Sequence, residues 1–203
     1  MQTNTRNKML IGAMDLIRRR GVNATSFREV VRYTETPRGS IKHHFPNGKL
    51  QLVTEAVELA GKEVSVPLQQ LMADKGSIAG LGVFIGLWRH TLESSDYEAG
   101  CPVLAVAVEQ YIGEDGNPQP EAEQRLLELV DTIFKNWQKI LAVSLQKDGI
   151  AEMRSQRLAN LIISSIEGTV AMCRAAKSTA SLDDVKIELE LILTAAIQTE
   201  SKP

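Results

Sequence analysis

The sequence predicts an all-α protein, with an N-terminal three-helix helix-turn-helix followed by a larger helical domain. Three observations carry this expectation. Apolar residues recur at helical spacing along most of the 203 residues, and Val, Ile and Thr rarely alternate with polar residues as a half-buried strand requires. No Asn-Gly or Asp-Gly hairpin separates strand-like runs, since Asp115-Gly116 and Asp148-Gly149 join helical segments. Residues 26–49, SFREVVRYTETPRGSIKHHFPNGK, hold two helix starts, a tight break and a cluster of cations.

Met9, Leu10, Ala13, Leu16 and Ile17 make the apolar stripe of a first helix, and Gly21 is a natural stop. Ser26-Phe27-Arg28-Glu29 reads as a capping box: the serine oxygen accepts from the Glu29 amide and the glutamate reaches back. Val30 and Val31 supply the buried side of that second helix. Thr36-Pro37 then restarts a helix, with threonine as N-cap and proline in the first turn, where its missing N–H costs nothing. The helix is very short and carries Arg38, Gly39, Ser40, Lys42 and His43 before Pro46 ends it. Helix, turn, cationic helix is the arrangement that lays a helix into a DNA major groove.

Asn47 is expected to cap a longer helix bearing Leu50, Val53, Val57 and Ala60, which Pro67 should kink or end. Residues 77–94 hold a further stripe of Leu81, Phe84, Ile85, Trp88 and Leu92. Gly100-Cys101-Pro102 breaks the chain and launches a short apolar helix, and GEDGNPQP over 113–120 is the clearest loop. A long helix follows with Leu126, Leu127, Val130, Phe134, Trp137, Leu141 and Leu145 on one side, closed by Gly149. Two final helices are expected near 151–177 and 182–199.

Hydrophobic residues at 43% and charged residues at 24% describe an ordinary soluble chain. No apolar run approaches bilayer length and MQTNTRNKMLIG lacks a signal-peptide core, so no membrane partner is expected and the cytoplasm is the expected compartment. Cys101 and Cys173 are far apart and show no ligand spacing, which argues against a disulfide framework, a zinc site or any other metal centre. The net charge of −2 hides an asymmetry: residues 1–50 carry ten Lys/Arg against three acids, a local charge of +7, which leaves −9 on the remainder. The positive end attracts polyanions. The macrodipole accounts for part of the Arg18-Arg19-Arg20 run at a helix end, but not for Arg28, Arg38, Lys42 and Lys49 gathered around one break.

The N-terminal motif resembles the TetR family of transcriptional regulators. The residues that carry the resemblance are Gly21, Ser26, Ser40-Ile41, His44-Phe45 and Lys49. TPRGSIKHHFPNGKLQL, together with GCPVLAVAVE over 100–109, is similar to the LmrA/YxaF-like branch. The resemblance implies a helix-turn-helix DNA-binding domain over 1–48 and an effector-binding and dimerisation domain over 49–203. It further implies a ligand-responsive regulator, read as a repressor, that binds a palindromic DNA operator as a homodimer and needs no cofactor. Two positions depart from the family pattern. Lys42 stands where tyrosine is usual, replacing a phenol by a mobile point charge. Glu35 stands where the turn normally has glycine; either the turn differs or a left-handed glutamate is strained by on the order of 1 kcal/mol.

On this reading Ser26, Lys42, His44 and Lys49 hold phosphates, with Arg28 in the same cationic cluster. Arg38 reads bases, Gly39 allows close backbone approach, and Ser40 and His43 add polar or methyl contacts. His44 could instead pack on the first helix, and His43-His44 make a poor metal pair. Effector-binding candidates are Phe84, Trp88, Cys101, Leu104, Val108, Glu109, Phe134, Trp137, Leu141, Ile166 and Met172, which suit a small hydrophobic or aromatic ligand, although core packing alone accounts for most of them. Small residues Ser164, Ser165, Gly168, Ala171, Ala175, Ala195 and Ala196 on the last two helices allow close approach between two subunits. The rival class is a helical enzyme or lipophile carrier. It finds no support in a nucleophile elbow, a phosphate-binding glycine loop or metal-ligand spacing, and no catalytic residue is assigned.

Overall fold

A computed structural model describes residues 2–200, and side chains over 5–199. The order is α1 (Gln2–Arg20), α2 (Phe27–Thr34), a 3-10 turn (Arg38–Ser40), α3 (Ile41–His44), α4 (Gly48–Ser94), α5 (Pro102–Val108), α6 (Pro120–Lys147), α7 (Glu152–Ala176) and α8 (Ala180–Glu200). Among the described residues the sole β feature is an isolated bridge between Ile112 and Pro118. The chain forms two compact units, Met1–Lys62 with Cys101–Ile133, and Glu63–Gly100 with Phe134–Pro203.

In the first unit α1 buries Met9, Ala13, Met14, Leu16 and Ile17, and α2, α3 and α5 pack against it. Val30 and Val31 of α2, Ile41 of α3 and Phe45 complete this core. Arg6 closes its edge, standing 4.9 Å over the Phe45 ring and pairing with Glu55 at 2.6 Å. Cys101 caps α5, its sulfur accepting from the Leu104 amide at 3.4 Å, and Pro102 opens the helix as its spacing predicts.

In the second unit α7 and α8 pack together. Asp148 accepts from the Ser77 amide at 3.2 Å, holding the start of the 77–94 segment. Arg89 donates to Thr179 at 2.9 Å and pairs with Asp183, which fixes the start of α8. Trp88, Trp137, Leu141, Ile162 and Ile166 are buried in its core.

Three expectations are corrected. Of the two outcomes expected at Pro67, an end is excluded: α4 runs through it, and the break lies at Gly76, with φ 76° and ψ 178°. The backbone cost of an interior proline is about 3 kcal/mol, and the burial of Ala60, Leu68 and Met72 around it offsets that cost. Thr36 does not cap the recognition segment. Pro37 is the N-cap, in an extended conformation, and Thr36 instead hydrogen-bonds the Thr34 hydroxyl at 2.8 Å. Finally, α4 contains an 18-residue window of mean hydropathy 1.2, enough by length and composition to cross a membrane. Leu81, Phe84, Ile85, Trp88 and Leu92 of that helix are buried in the protein, as in a core helix.

Gly76 occupies a region of φ and ψ that is essentially confined to glycine, and a Cβ there would meet nothing within 4 Å. Gly76→Ala should therefore lower stability by about 1–3 kcal/mol through backbone strain alone. Urea unfolding followed by circular dichroism checks this, and an unchanged midpoint would show that the break tolerates a side chain.

Candidate nucleic-acid interface

The helix-turn-helix is built from local hydrogen bonds. The Ser26 hydroxyl accepts from the Glu29 amide at 3.2 Å, the serine half of the expected capping box. The Glu29 carboxylate pairs with Arg32 and lies 3.9 Å from Arg20. At the other end of α2, Glu35 sits in the left-handed region at φ 52° and ψ 39°. Its amide reaches the Arg32 carbonyl at 3.4 Å, and the Thr36 amide reaches Val31 at 3.2 Å. Glu35 is thus a strained C-cap in the position that glycine usually takes.

The recognition segment is one 3-10 turn followed by one α turn. The Pro37 carbonyl accepts from the Ser40 amide at 3.1 Å and from the Ser40 hydroxyl at 2.7 Å. Ile41 and Phe45 point into the core, whereas Arg38, Gly39, Lys42 and His43 are exposed. A Cβ on Gly39 would meet nothing within 4 Å, so its backbone is open to an approaching surface. His44 is half-buried, its ring 5.6 Å from that of His43.

The cations divide into two sets. Arg18 and Arg19 pair with Asp15, and Arg20 lies near Glu29. Arg28, Arg38 and Lys42 form no ion pair with any described residue. Asp15 is the centre of the first set. Burial opposes its ionisation, but the Tyr33 hydrogen bond and the Arg18 and Arg19 guanidinium groups prevail, and its carboxyl lies below the usual value of 3.8. The same hydrogen bond pushes the Tyr33 phenol up.

Lys49 is placed differently from its expected phosphate role. It is 5% exposed, its ammonium donates to the Ile112 carbonyl at 2.9 Å, and it stands 5.2 Å over the Tyr111 ring. Burial lowers its pKa, against the opposing pull of Glu109 and Glu114. Tyr111, also buried and near Glu114, is pushed up to about 12. Lysine at the start of a helix gives no sequence signal of being turned inward; only the fold of the 109–112 loop reveals it.

The effector candidates fall into both units. Phe84, Trp88, Trp137, Leu141 and Ile166 are buried in the second, with the Phe134 and Trp137 rings edge-to-face at 5.3 Å, while Met172 is 60% exposed. Cys101, Leu104, Val108 and Glu109 belong to the first unit, where Val108 is 73% exposed and the Glu109 carboxylate accepts from the Asn23 amide at 3.2 Å. Two cavities of the second unit are lined by other residues. One of about 350 Å³ is lined by Gln69, Met72, Asn136, Lys139, Ile140 and Ser144, among others, and another of about 530 Å³ by Lys135, Gln138, Ala142, Gln146, Glu152 and Gln156. Among the described residues no group of three or more His, Cys, Asp or Glu side chains could hold a metal ion.

Two family profiles match the chain. "Bacterial regulatory proteins, tetR family" covers residues 10–56, and "Transcriptional regulator LmrA/YxaF-like, C-terminal domain" covers residues 77–188. The HTH-type transcriptional regulator Rv0196 of Mycobacterium tuberculosis is 33% identical over 197 residues, spanning 97% of this chain and 98% of the relative. YxaF of Bacillus subtilis, also named an HTH-type transcriptional regulator, is 29% identical over 180 residues, 88% of this chain and 90% of its own. A TetR transcriptional regulator from Legionella pneumophila has the same fold, with a TM-score of 0.77 at 21% identity over 91% of this chain and 95% of that one.

Because the folded Asp15 carboxyl titrates below its unfolded value of 3.8, its contribution to stability is complete above that pH and fades as pH falls through the folded value. Asp15→Asn should be less stable than wild type near neutral pH, and the gap should close on acidification. Denaturant midpoints across the acid range check this; parallel pH profiles for the two proteins would contradict it.

Proposed function

The chain belongs to the TetR family of bacterial transcriptional regulators, with a C-terminal domain of the LmrA/YxaF-like kind, and from that premise we propose that it is a ligand-responsive repressor. It is a DNA-binding regulator and not an enzyme. On this proposal, residues 1–48 bind a palindromic operator and residues 49–203 bind the effector and join two copies of the chain. The observation that carries the DNA reading is the sidedness of the recognition segment. Ile41 and Phe45 are buried, while Arg38, Lys42 and His43 stay exposed and Arg38 and Lys42 pair with no acid among the described residues.

Arg38 then reads a guanine edge, with Ser40 and His43 beside it, and the open backbone at Gly39 lets the segment approach closely. Lys42, Arg28, His44 and the Ser26 end of α2 face phosphates. The Ser40 hydroxyl retains a free lone pair while donating to Pro37, so it can accept from a base.

For assembly, α7 and α8 expose Leu161, Met172, Ile187, Leu191 and Ile192 among small residues such as Gly168, Ala171 and Ala195. An apolar surface of this kind on paired helices supports a two-fold four-helix interface. The effector is small and hydrophobic or aromatic, and Phe84, Trp88, Phe134 and Trp137 are its proposed contacts. α4 is common to both units, so it offers a covalent route by which effector occupancy reaches the DNA-binding end. Release follows once both half-sites can no longer be engaged together. A DNA-binding role also sets the proposed compartment, the cytoplasm.

Band-shift titration against the chain's own upstream region, at several salt concentrations, tests this reading. Arg38→Ala should cost about 1–3 kcal/mol of operator affinity. Lys42→Ala should weaken binding to all sequences and reduce the salt slope by about 1. Binding with neither sequence preference nor a steep salt slope would sink the proposal. Leu191, 59% exposed, gives a separate test of assembly: Leu191→Glu should convert a dimer to a folded monomer by light scattering, and a persistent dimer would place the interface elsewhere.

A further inference from the structure

The loop between α5 and α6 grips the helix-turn-helix at both of its ends. Asn23, between α1 and α2, donates through its side-chain amide to the Gln110 carbonyl at 2.7 Å and accepts from the Ile112 amide at 3.0 Å. Its backbone amide donates to the Glu109 carboxylate at 3.2 Å. Lys49, in the first turn of α4, donates to the Ile112 carbonyl at 2.9 Å. A Cβ at Gly21 would collide with the Glu109 carboxylate, so the approach of this loop is tight.

The loop is itself stiff. The Tyr111 amide is held by Glu123 of α6 at 3.0 Å, Gln119 donates back to Tyr111 at 3.2 Å, and Gly113 bonds Asn117 at 2.9 Å. Between the two anchors lie residues 24–48, which contain α2, the turn and the whole recognition segment. That stretch contributes only Thr25, Val30, Val31, Thr34, Ile41 and Phe45 as buried side chains. Those side chains dock the segment on α1, and the loop adds polar anchors just outside each of its ends.

We propose that Asn23 and Lys49 are positioning residues for DNA recognition, which hold residues 24–48 at the angle the groove requires by fastening both ends to the 109–112 loop. Lys49 therefore acts on DNA through the loop and makes no phosphate contact. The proposal rests on the DNA-recognition reading and needs nothing from the effector.

The test uses the full chain and two duplexes, one enriched by the wild-type protein from a random pool and one of scrambled sequence. Affinities are measured by fluorescence anisotropy over a range of salt. Lys49→Met and Asn23→Ala should each weaken the enriched duplex about ten-fold, with the salt slope and the scrambled duplex unaffected. The double variant should lose little more than either single one, since both act through one loop. A merely structural loss would instead weaken both duplexes alike, in proportion to the unfolded fraction. If Lys49→Met does not fold, Asn23→Ala, on an exposed side chain, carries the same comparison. Loss of about one unit of salt slope in Lys49→Met, with equal weakening of both duplexes, would make Lys49 a phosphate contact and overturn the proposal. Unchanged affinity in Asn23→Ala would also overturn it. A wild-type protein that enriches no sequence would overturn the DNA-recognition reading along with it.

Discussion

The buried face of α1 holds together three helices that could not stand alone. α2, α3 and α5 have eight, four and seven residues, and isolated helices below about 12 residues are marginal in water. Met9, Ala13, Met14, Leu16 and Ile17 give them a common surface, and each fully buried large side chain contributes roughly 1.5–3 kcal/mol. The recognition segment depends on this most. Its regular part is a single 3-10 turn and a single α turn, held to the core by Ile41 and Phe45. Its exposed side chains are positioned by residues buried beneath them.

The same economy governs charge. The local excess of cations over residues 1–50 is not uniformly available. Asp15 draws Arg18 and Arg19 together with Tyr33, and Glu29 takes Arg32 and neighbours Arg20. Among the described residues, what remains exposed without a counter-ion is Lys8 on α1 and the set around the turn, Arg28, Arg38 and Lys42. Internal acids thus turn a broadly basic segment into a localised basic edge, which fits a partner whose charges are spaced along a line. Lys49 shows the opposite fate, since its burial and its bond to Ile112 make it part of the scaffold.

Much of this was legible in residue order because it is local. The Ser26 cap needs only the amide three residues on, and the left-handed Glu35 needs only a helix ending against a turn. The apolar stripes that mark α1, α6 and α7 are set by helical period, and the family resemblance follows from the motif. Legibility ended where a neighbouring group or burial outweighs a residue's local signal. Thr36 had the chemistry of an N-cap, but the Thr34 hydroxyl was nearer, and Pro37 took the cap. Pro67 had the chemistry of a helix terminator, but the burial of Leu68 and Met72 carried α4 on to Gly76.

By itself, then, the sequence determined the all-α class and the helix-turn-helix, because periodicity, capping and turn chemistry act within a few residues. Tertiary structure alone decided which cations remain free, where α4 breaks, and that Lys49 faces Ile112 rather than solvent. Those outcomes depend on contacts across tens of residues: residue 49 meets residue 112, and residue 23 meets residues 109, 110 and 112. No window of local sequence contains both members of such a pair, so the energy that chooses between an exposed and a buried lysine exists only once the chain has folded.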